Sequence, residues 1–284
     1  MTWRDARKCN APQRLFLDAM LMRGAYSFMR KKGVTRPKAM IGGAGYGGKS
    51  HGLRTATGEI NGYFRSIGLP DRWGCLMCKK YTDLAGRQIK MLQKEMSDVG
   101  RVKSTRLHGL VFQFYEEGMG GFYLRNAQDP DAAKGTEYDW MLIDELTQFT
   151  REEFDFIDYQ VRSPDMPFTP SGYGTNPDGV GHDWVKRWWI DNDYSDLKEL
   201  IKDGIVFPEE YQFIPAKPWD NPTFGPGVEA RLRGFEDPML VQARWHGSWD
   251  LAGGMRFSQY QRTVHEYDDD DLVRHFSWVA PHYQ

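Results

Sequence analysis

Cysteine is scarce, with three residues in a chain of 284. That is too few for a disulfide framework and suits a reducing cytoplasm. No apolar run approaches the roughly 20 residues that a membrane-spanning helix requires, and the opening residues do not read as a secretory signal. Charge of one sign is not in excess: 37 lysines and arginines face 39 aspartates and glutamates, a formal net charge of −2. Any contact with a polyanion must therefore come from local patches rather than bulk charge. No internal repeat with a period of about 20–50 residues stands out, which argues against a solenoid. What remains is 40% hydrophobic and 27% charged, the make-up of a soluble globular protein long enough for one large domain or two.

The most informative stretch is 38–53, KAMIGGAGYGGKSHGL. Ala39-Met40-Ile41 reads as a short buried strand of the parallel kind. It runs into Gly43-Ala44-Gly45-Tyr46-Gly47-Gly48-Lys49-Ser50, which fits G-x-x-x-x-G-K-[ST] at every fixed position. Glycines let such a loop take positive φ and curl, so that successive N–H groups point at phosphate oxygens. Lys49 would reach the β- and γ-phosphates and the Ser50 hydroxyl would bind Mg²⁺, with the helix starting near Lys49 aiming its N-terminus at the same anion. Glycine is common here (30 residues), but a strand before and a helix after favour a nucleotide phosphate loop over a chance turn.

A second anchor lies at 138–149, YDWMLIDELTQF. Trp140-Met141-Leu142-Ile143 is an apolar strand ending in Asp144-Glu145, and paired carboxylates at the mouth of a buried strand are costly without a cation or a job. Asp144 would hold the Mg²⁺ that bridges the phosphates, and Glu145 would orient and deprotonate an attacking water. That second carboxylate argues for hydrolysis over transfer to another acceptor.

Taken in order, 11–30 reads as an amphipathic helix with Leu15, Met20, Leu21, Tyr26 and Met29 near one face, closed by Arg30-Lys31-Lys32-Gly33. Ahead of it, Gln13 carries the donor and acceptor that could read adenine, although a surface position in a first helical turn is the plainer reading. Helices at 49–66 and 81–97 around a strand at 74–79 predict βαβ units and a parallel sheet. Cys75 and Cys78 sit three apart on that strand, so they face opposite sides and cannot share a metal. GLVFQFY and GFYLR predict an antiparallel hairpin at the sheet edge. A helix over 151–163 and a strand over 167–174 lead to Thr175-Asn176, either a phosphate sensor or a plain Asn-Pro turn. Trp184 and Trp188, at i and i+4, are read as core beside Lys186-Arg187. Beyond about 195, helix-like stretches at 194–203 and 226–246 flank a Pro/Asn/Gly-rich segment, as in a small second subdomain. Asp268 to Asp271 read as a solvated loop.

The ordered set PQ, GAGYGGKS, MLIDE, GTNPDGVGHDW and PWDNP resembles the large terminase subunit of tailed bacteriophages, the ATPase of the genome-packaging motor. The resemblance covers roughly 10–258, and GTNP…HDW followed by DNP is more specific than the phosphate loop. It implies an α/β fold: a RecA-like P-loop NTPase of the additional-strand, catalytic-glutamate (ASCE) class, with a mainly parallel central sheet flanked by helices. The implied domains are a core at 1–190, a lid subdomain at 191–252, and a returning strand and linker at 253–284 toward an absent nuclease domain, hence no nuclease activity. Position by position, Gln13 becomes the adenine contact, Gly43 to Ser50 the phosphate loop, Ser50 and Asp144 the Mg²⁺ ligands, Glu145 the catalytic base, and Thr175 with Asn176 the coupling motif. ATP is the implied substrate, and double-stranded DNA, the portal protein and the small terminase subunit the implied partners. The chain is implied to form a ring on the portal, to be a monomer in isolation, and to work in the cytoplasm of an infected bacterial host away from any membrane. Two departures stand out. The phosphate loop holds no arginine, and Lys134-Gly135 stands where related proteins often have Arg-Gly. The charge-stabilising arginine must come from elsewhere, such as a neighbouring subunit, with Arg125, Arg162 and Lys134 as candidates. Arg101 to Arg106 and Lys186-Arg187 are candidate DNA contacts. Alternatives are a P-loop kinase, which would not need Glu145, and a nucleotide-binding ring-assembly protein with negligible turnover. A GTPase is disfavoured because no N-K-x-D occurs.

Overall fold

Strand β1, Lys38–Gly43, is buried along its whole length and pairs in parallel on both sides. In the computed structural model, which describes residues 9–128, 136–234 and 241–250, it belongs to one eight-stranded sheet. The other strands are β2 (Trp73–Cys78), β3 (Gly100–Thr105), β4 (Gly109–Phe114), β5 (Gly121–Asn126), β6 (Met141–Asp144), β7 (Ser171–Thr175) and β8 (Tyr211–Ala216). Their spatial order is β3-β4-β5-β2-β6-β7-β1-β8. Every pairing from β5 to β8 is parallel, and only β3-β4 and β4-β5 are antiparallel.

Alternation along the central strands feeds two cores, one on each face. Ala39 and Ile41, Leu76 and Cys78, and Leu142 enter the first; Met40, Cys75 and Met77, and Met141 and Ile143 enter the second. Helices α1 (Ala11–Met20) and α2 (Lys49–Ser66) supply the first layer through Phe16, Met20, Leu53 and Ile60. Helix α4 (Arg151–Tyr159) and the helical segment 182–190 (α5) supply the second through Phe154, Trp184, Trp188 and Trp189. This is the near-continuously apolar, doubly covered sheet that parallel strands require. Cys75 and Cys78 are free, buried and on opposite faces, as their spacing predicts. The three tryptophans are core, each indole N–H donating to an acceptor: Phe149 O, Asp196 Oδ1 and Lys38 O. Gly172 on β7 lets α1 close onto the sheet, since a Cβ there would lie 2.6 Å from Met20 Sδ and 2.7 Å from Phe16 Cζ.

Several expectations are corrected. The helix over 11–30 stops at Met20, because Met22 (φ 48°) and Gly24 (φ 53°) turn left-handed; short helical pieces at Gly24–Ser27 and Phe28–Lys31 follow. Leu15 is exposed and Phe16 and Leu17 are buried instead, because Phe16 and Met20 set the face against Gly172. The expected hairpin exists as β4-β5, with Phe112 and Phe122 stacked at 5.0 Å, but β3 lies outside it and forms the sheet edge. The basic stretch 101–106 is mostly the edge strand β3, paired to β4. The helix after β2 runs over 81–95 (α3) and contains a wide π-turn at Leu84–Ile89. Strand β8, from within the 191–252 span assigned to a lid, is part of the central sheet beside β1. Helix α6 (Pro226–Arg233) and a turn at Gln242–His246 follow it. Lys134, residues 253–284 and Asp268 to Asp271 lie outside the described residues. Among the described residues no helix is long and apolar enough to cross a membrane.

Candidate active site

Strand order decides which loops meet. With β7 between β1 and β6, the phosphate loop after β1 faces the tips of β6 and β7 across a cavity of about 760 Å³. The loop from Gly45 to Ser50, Glu145, Asn176, Arg87, Asn221 and Arg244 line it.

The loop takes the curled path its glycines permit. Gly43 (φ 108°) and Gly48 (φ 80°) are left-handed, and so is Tyr46 (φ 59°), held where Asn221 Nδ2 donates to its carbonyl at 2.8 Å. Ala44 N donates to Ala216 O at 3.2 Å and Gly45 N to Arg244 O at 2.7 Å, so β8 and the 242–246 turn brace the loop. Lys49 is buried and donates to Ala44 O at 2.6 Å and to Asn176 Oδ1 at 2.8 Å. Burial depresses the proton affinity of its amine, against the pull of Glu145 and Asp144. An arriving polyphosphate would reverse that by adding negative charge at the ammonium.

Ser50 Oγ lies 3.2 Å from both Asp144 oxygens. Those residues fit a Mg²⁺ site: neighbouring oxygens around an octahedral ion with ~2.1 Å bonds stand about 3 Å apart, and Mg²⁺ takes few protein ligands beside phosphate and water. Gln88 Nε2 donates to Asp144 Oδ2 at 2.6 Å. Arg54 Nη1 donates to Gln88 Oε1 at 3.1 Å, and Arg54 is itself gripped by Glu95 at 2.9 and 3.1 Å.

Glu145 has φ 59° and ψ 61°, a left-handed conformation that is uncommon for a non-glycine residue and is found most at functional turns. Its carboxylate accepts from Asn176 Nδ2 at 2.9 and 3.1 Å. Burial and the neighbouring Asp144 raise its proton affinity, offset in part by Lys49 and Arg87. Asn176 thus joins Lys49 to Glu145 with its two amide ends. Thr175 does not reach the cavity: fully buried, it bonds Thr147 Oγ1 at 3.0 Å and accepts from Thr147 N at 3.2 Å, anchoring the turn that follows Glu145.

Gln13 is placed behind the loop rather than open to the cavity. Its Oε1 accepts from Asn10 N at 2.9 Å, its Nε2 donates to Gly48 O at 2.8 Å, and it is 3% exposed. Reading adenine would cost both bonds. Arg125 is not at the site within this chain. It donates to His108 O at 2.9 Å and lies over the Tyr123 ring on β5. Arg162 pairs with Glu137 at 2.9 Å, away from the cavity. Lys186 pairs with Asp191 at 2.8 Å. Three residues of the site carried no local sequence signal, Arg87, Gln88 and Arg244; Asn221 stands in the PWDNP segment, though its contact with the phosphate loop could not be read from it.

No protein-family model matches the sequence, and no curated protein matches it. Solved structures do resemble the fold. The large terminase of a thermophilic bacteriophage in complex with ATP-gamma-S superposes with a TM-score of 0.59 at 16% identity, covering 91% of this chain and 57% of that one. The ADP complex of the same terminase gives 0.58 at 16%, covering 90% and 57%. The large terminase ATPase domain of Thermus phage P74-26 gives 0.53 at 16%, covering 85% of this chain and 94% of that domain. The chain therefore spans a little over half the length of the first terminase and most of the isolated Thermus phage domain. The described residues have the RecA-like fold of phage large-terminase ATPase domains.

Proposed function

We propose that this chain is a Mg²⁺-dependent ATPase that drives double-stranded DNA into a procapsid, the ATPase part of a phage large terminase. The observation that carries the reading is Glu145: a half-buried carboxylate with raised proton affinity, aimed by a left-handed turn into the cavity that Lys49 and Ser50 line. A kinase has no use for such a base beside its magnesium carboxylate.

The chain's own residues divide the work. The curled loop and Lys49 hold the β- and γ-phosphates. Ser50 and Asp144 would hold Mg²⁺, which neutralises phosphate charge when bound. Glu145 orients a water and takes its proton as the water oxygen bonds to the γ-phosphorus and the bond to the leaving ADP oxygen breaks. Asn176 would feel the loss of the γ-phosphate through Lys49 and pass it to Glu145 and, through the Thr147–Thr175 bonds, to β7. Asn221 and Arg244, from the 191–252 span read as a lid, brace the loop, a route by which hydrolysis would move a DNA-gripping surface. The partners belonging to this reading are double-stranded DNA held through its phosphates, a portal, and a small terminase subunit.

The test compares steady-state ATP hydrolysis by the chain and by Glu145→Gln, with nucleotide affinity measured on both. Loss of turnover by ~10²-fold or more with affinity kept is the expected result. Equal turnover in the two proteins would overturn the assignment of the base and with it the hydrolytic reading.

A further inference from the structure

The phosphate loop has no arginine, yet among the described residues Lys49, Arg54, Arg87 and Arg244 line the cavity. Three of these cations are committed. Lys49 is bonded to Ala44 O and Asn176, Arg54 to Glu95 and Gln88, and Arg244 lies 2.5 Å from Asp178. Arg87 differs. Its side chain is 43% exposed, and its contacts are long: 3.4 Å to Glu145 Oε1, 3.5 Å to Asp83 Oδ1 and 3.7 Å to Asp144 Oδ2. Guanidinium–carboxylate hydrogen bonds normally close to about 2.7–2.9 Å, so the guanidinium is held by charge rather than locked by geometry.

The backbone beneath Arg87 is fixed. Gln88, the next residue, is fully buried between Asp144 and Arg54. Both lie in the π-turn Leu84–Ile89 of α3, a local widening that recurs at functional sites. β2 pairs directly with β6, with Cys78 opposite Asp144, so the helix leaving β2 starts beside the catalytic carboxylates. A pinned backbone, a loosely held cation and a shared cavity with Lys49 and Glu145 are the requirements for a charge that can shift by a few ångströms onto an incoming anion.

We propose that Arg87 is the charge-stabilising arginine of this site, supplied within the chain and resting on Glu145 when no nucleotide is bound. The inference rests on the hydrolytic reading above. On binding, the γ-phosphate oxygens outcompete one carboxylate for the guanidinium, and Arg87 crosses to them. One effect follows from that move. Charge building on the transferring phosphoryl group is neutralised. Arg87 itself forms and breaks only hydrogen bonds; the proton goes to Glu145, and ADP and inorganic phosphate leave.

The experiment uses the chain with Arg87→Ala and Arg87→Lys, beside wild type and Glu145→Gln. Arg87→Ala is expected to lower kcat by ~10³-fold or more, the scale on which such arginines act, while ATP affinity changes less than about fivefold. Added guanidinium should restore part of the loss, and Arg87→Lys, which keeps charge without the planar fork, should remain at least about tenfold impaired. Affinity for ADP with aluminium fluoride, a mimic of the transferring phosphoryl group, should fall in Arg87→Ala while affinity for a non-hydrolysable ATP analogue does not. Wild-type specific activity should not depend on chain concentration, and mixing Arg87→Ala with Glu145→Gln should restore nothing. Active wild type together with near wild-type turnover in Arg87→Ala overturns the Arg87 assignment alone. Rescue in the mixture overturns the within-chain claim by showing that the arginine acts on a neighbour. Wild type inert at every concentration overturns both this assignment and the hydrolytic reading.

Discussion

Replacing Glu95 by glutamine removes the carboxylate that holds Arg54 through both Nε and Nη2 and accepts from His51 at 3.1 Å. Burial opposes ionisation of Glu95, but the hydrogen bonds from His51 and Arg54, with their charges, outweigh it and hold its carboxyl at about 2 against an ordinary 4.5. The unfolded chain therefore takes up a proton near pH 4.5 that the folded chain refuses until about 2. Stability from this group is complete well above pH 4.5 and drains away as pH falls toward 2. At 1.36 kcal/mol for each factor of ten, the ceiling is ~3 kcal/mol at pH 7, falling to ~1.4 kcal/mol at pH 3. Urea unfolding of wild type and Glu95→Gln at a series of pH values between 3 and 7, at constant ionic strength, measures the difference. The gap is expected at ~2–3 kcal/mol at neutral pH, since partial exposure screens part of the ceiling, and should shrink by about half by pH 3. A gap that stays constant across the range, or is absent at pH 7, would refute the account of Glu95 as an ionised anchor for Arg54.

Gly48→Ala places a Cβ 2.7 Å from Gln13 Nε2 at a residue with φ 80°. Strain of ~1–2 kcal/mol and displacement of the loop should lower the melting temperature and weaken nucleotide binding at least tenfold, read by thermal unfolding and a fluorescent-nucleotide titration; unchanged affinity would show that the loop does not depend on the left-handed turn at Gly48. Because burial and Asp144 raise the proton affinity of Glu145, the acid limb of kcat/KM for ATP should lie above pH 4.5, the ordinary glutamate value, and activity should fall as pH drops through it. An acid limb below that value would mean that Glu145 is not the group that titrates.

The sequence discloses those parts of the fold whose signal is local. Ala39-Met40-Ile41 and Met141-Leu142-Ile143 are apolar runs because parallel strands covered on both faces have no polar side, and both are strands. The helix after the phosphate loop ends at Ser66 where its pattern ends. Elements defined by partners were illegible. β3 contains Arg101 and Lys103 and reads as a basic patch, because an edge strand with one neighbour has no need of alternating apolar residues. β8 carries Pro215 and follows a loose, polar stretch, yet it closes the sheet beside β1. Its pairing partner starts at Lys38, most of the chain away, so no window along the sequence could show it.

The same division runs through the site. Lys49, Ser50, Asp144 and Glu145 stand in motifs because the loop and the strand tip each need several residues in fixed succession. Arg87 and Gln88 need only be one residue apiece on the right turn of a helix, and LAGRQI has no spacing to mark it. The signal that could have found them is topological. In an order where β2 adjoins β6, Cys78 and Asp144 are opposite one another, and polar residues in the first turns of the helix leaving β2 must face the carboxylates at the tip of β6. Strand order therefore turns an unremarkable arginine and glutamine into partners of Glu145 and Asp144. A chain with the same two motifs but another order of strands would have to find its cation elsewhere.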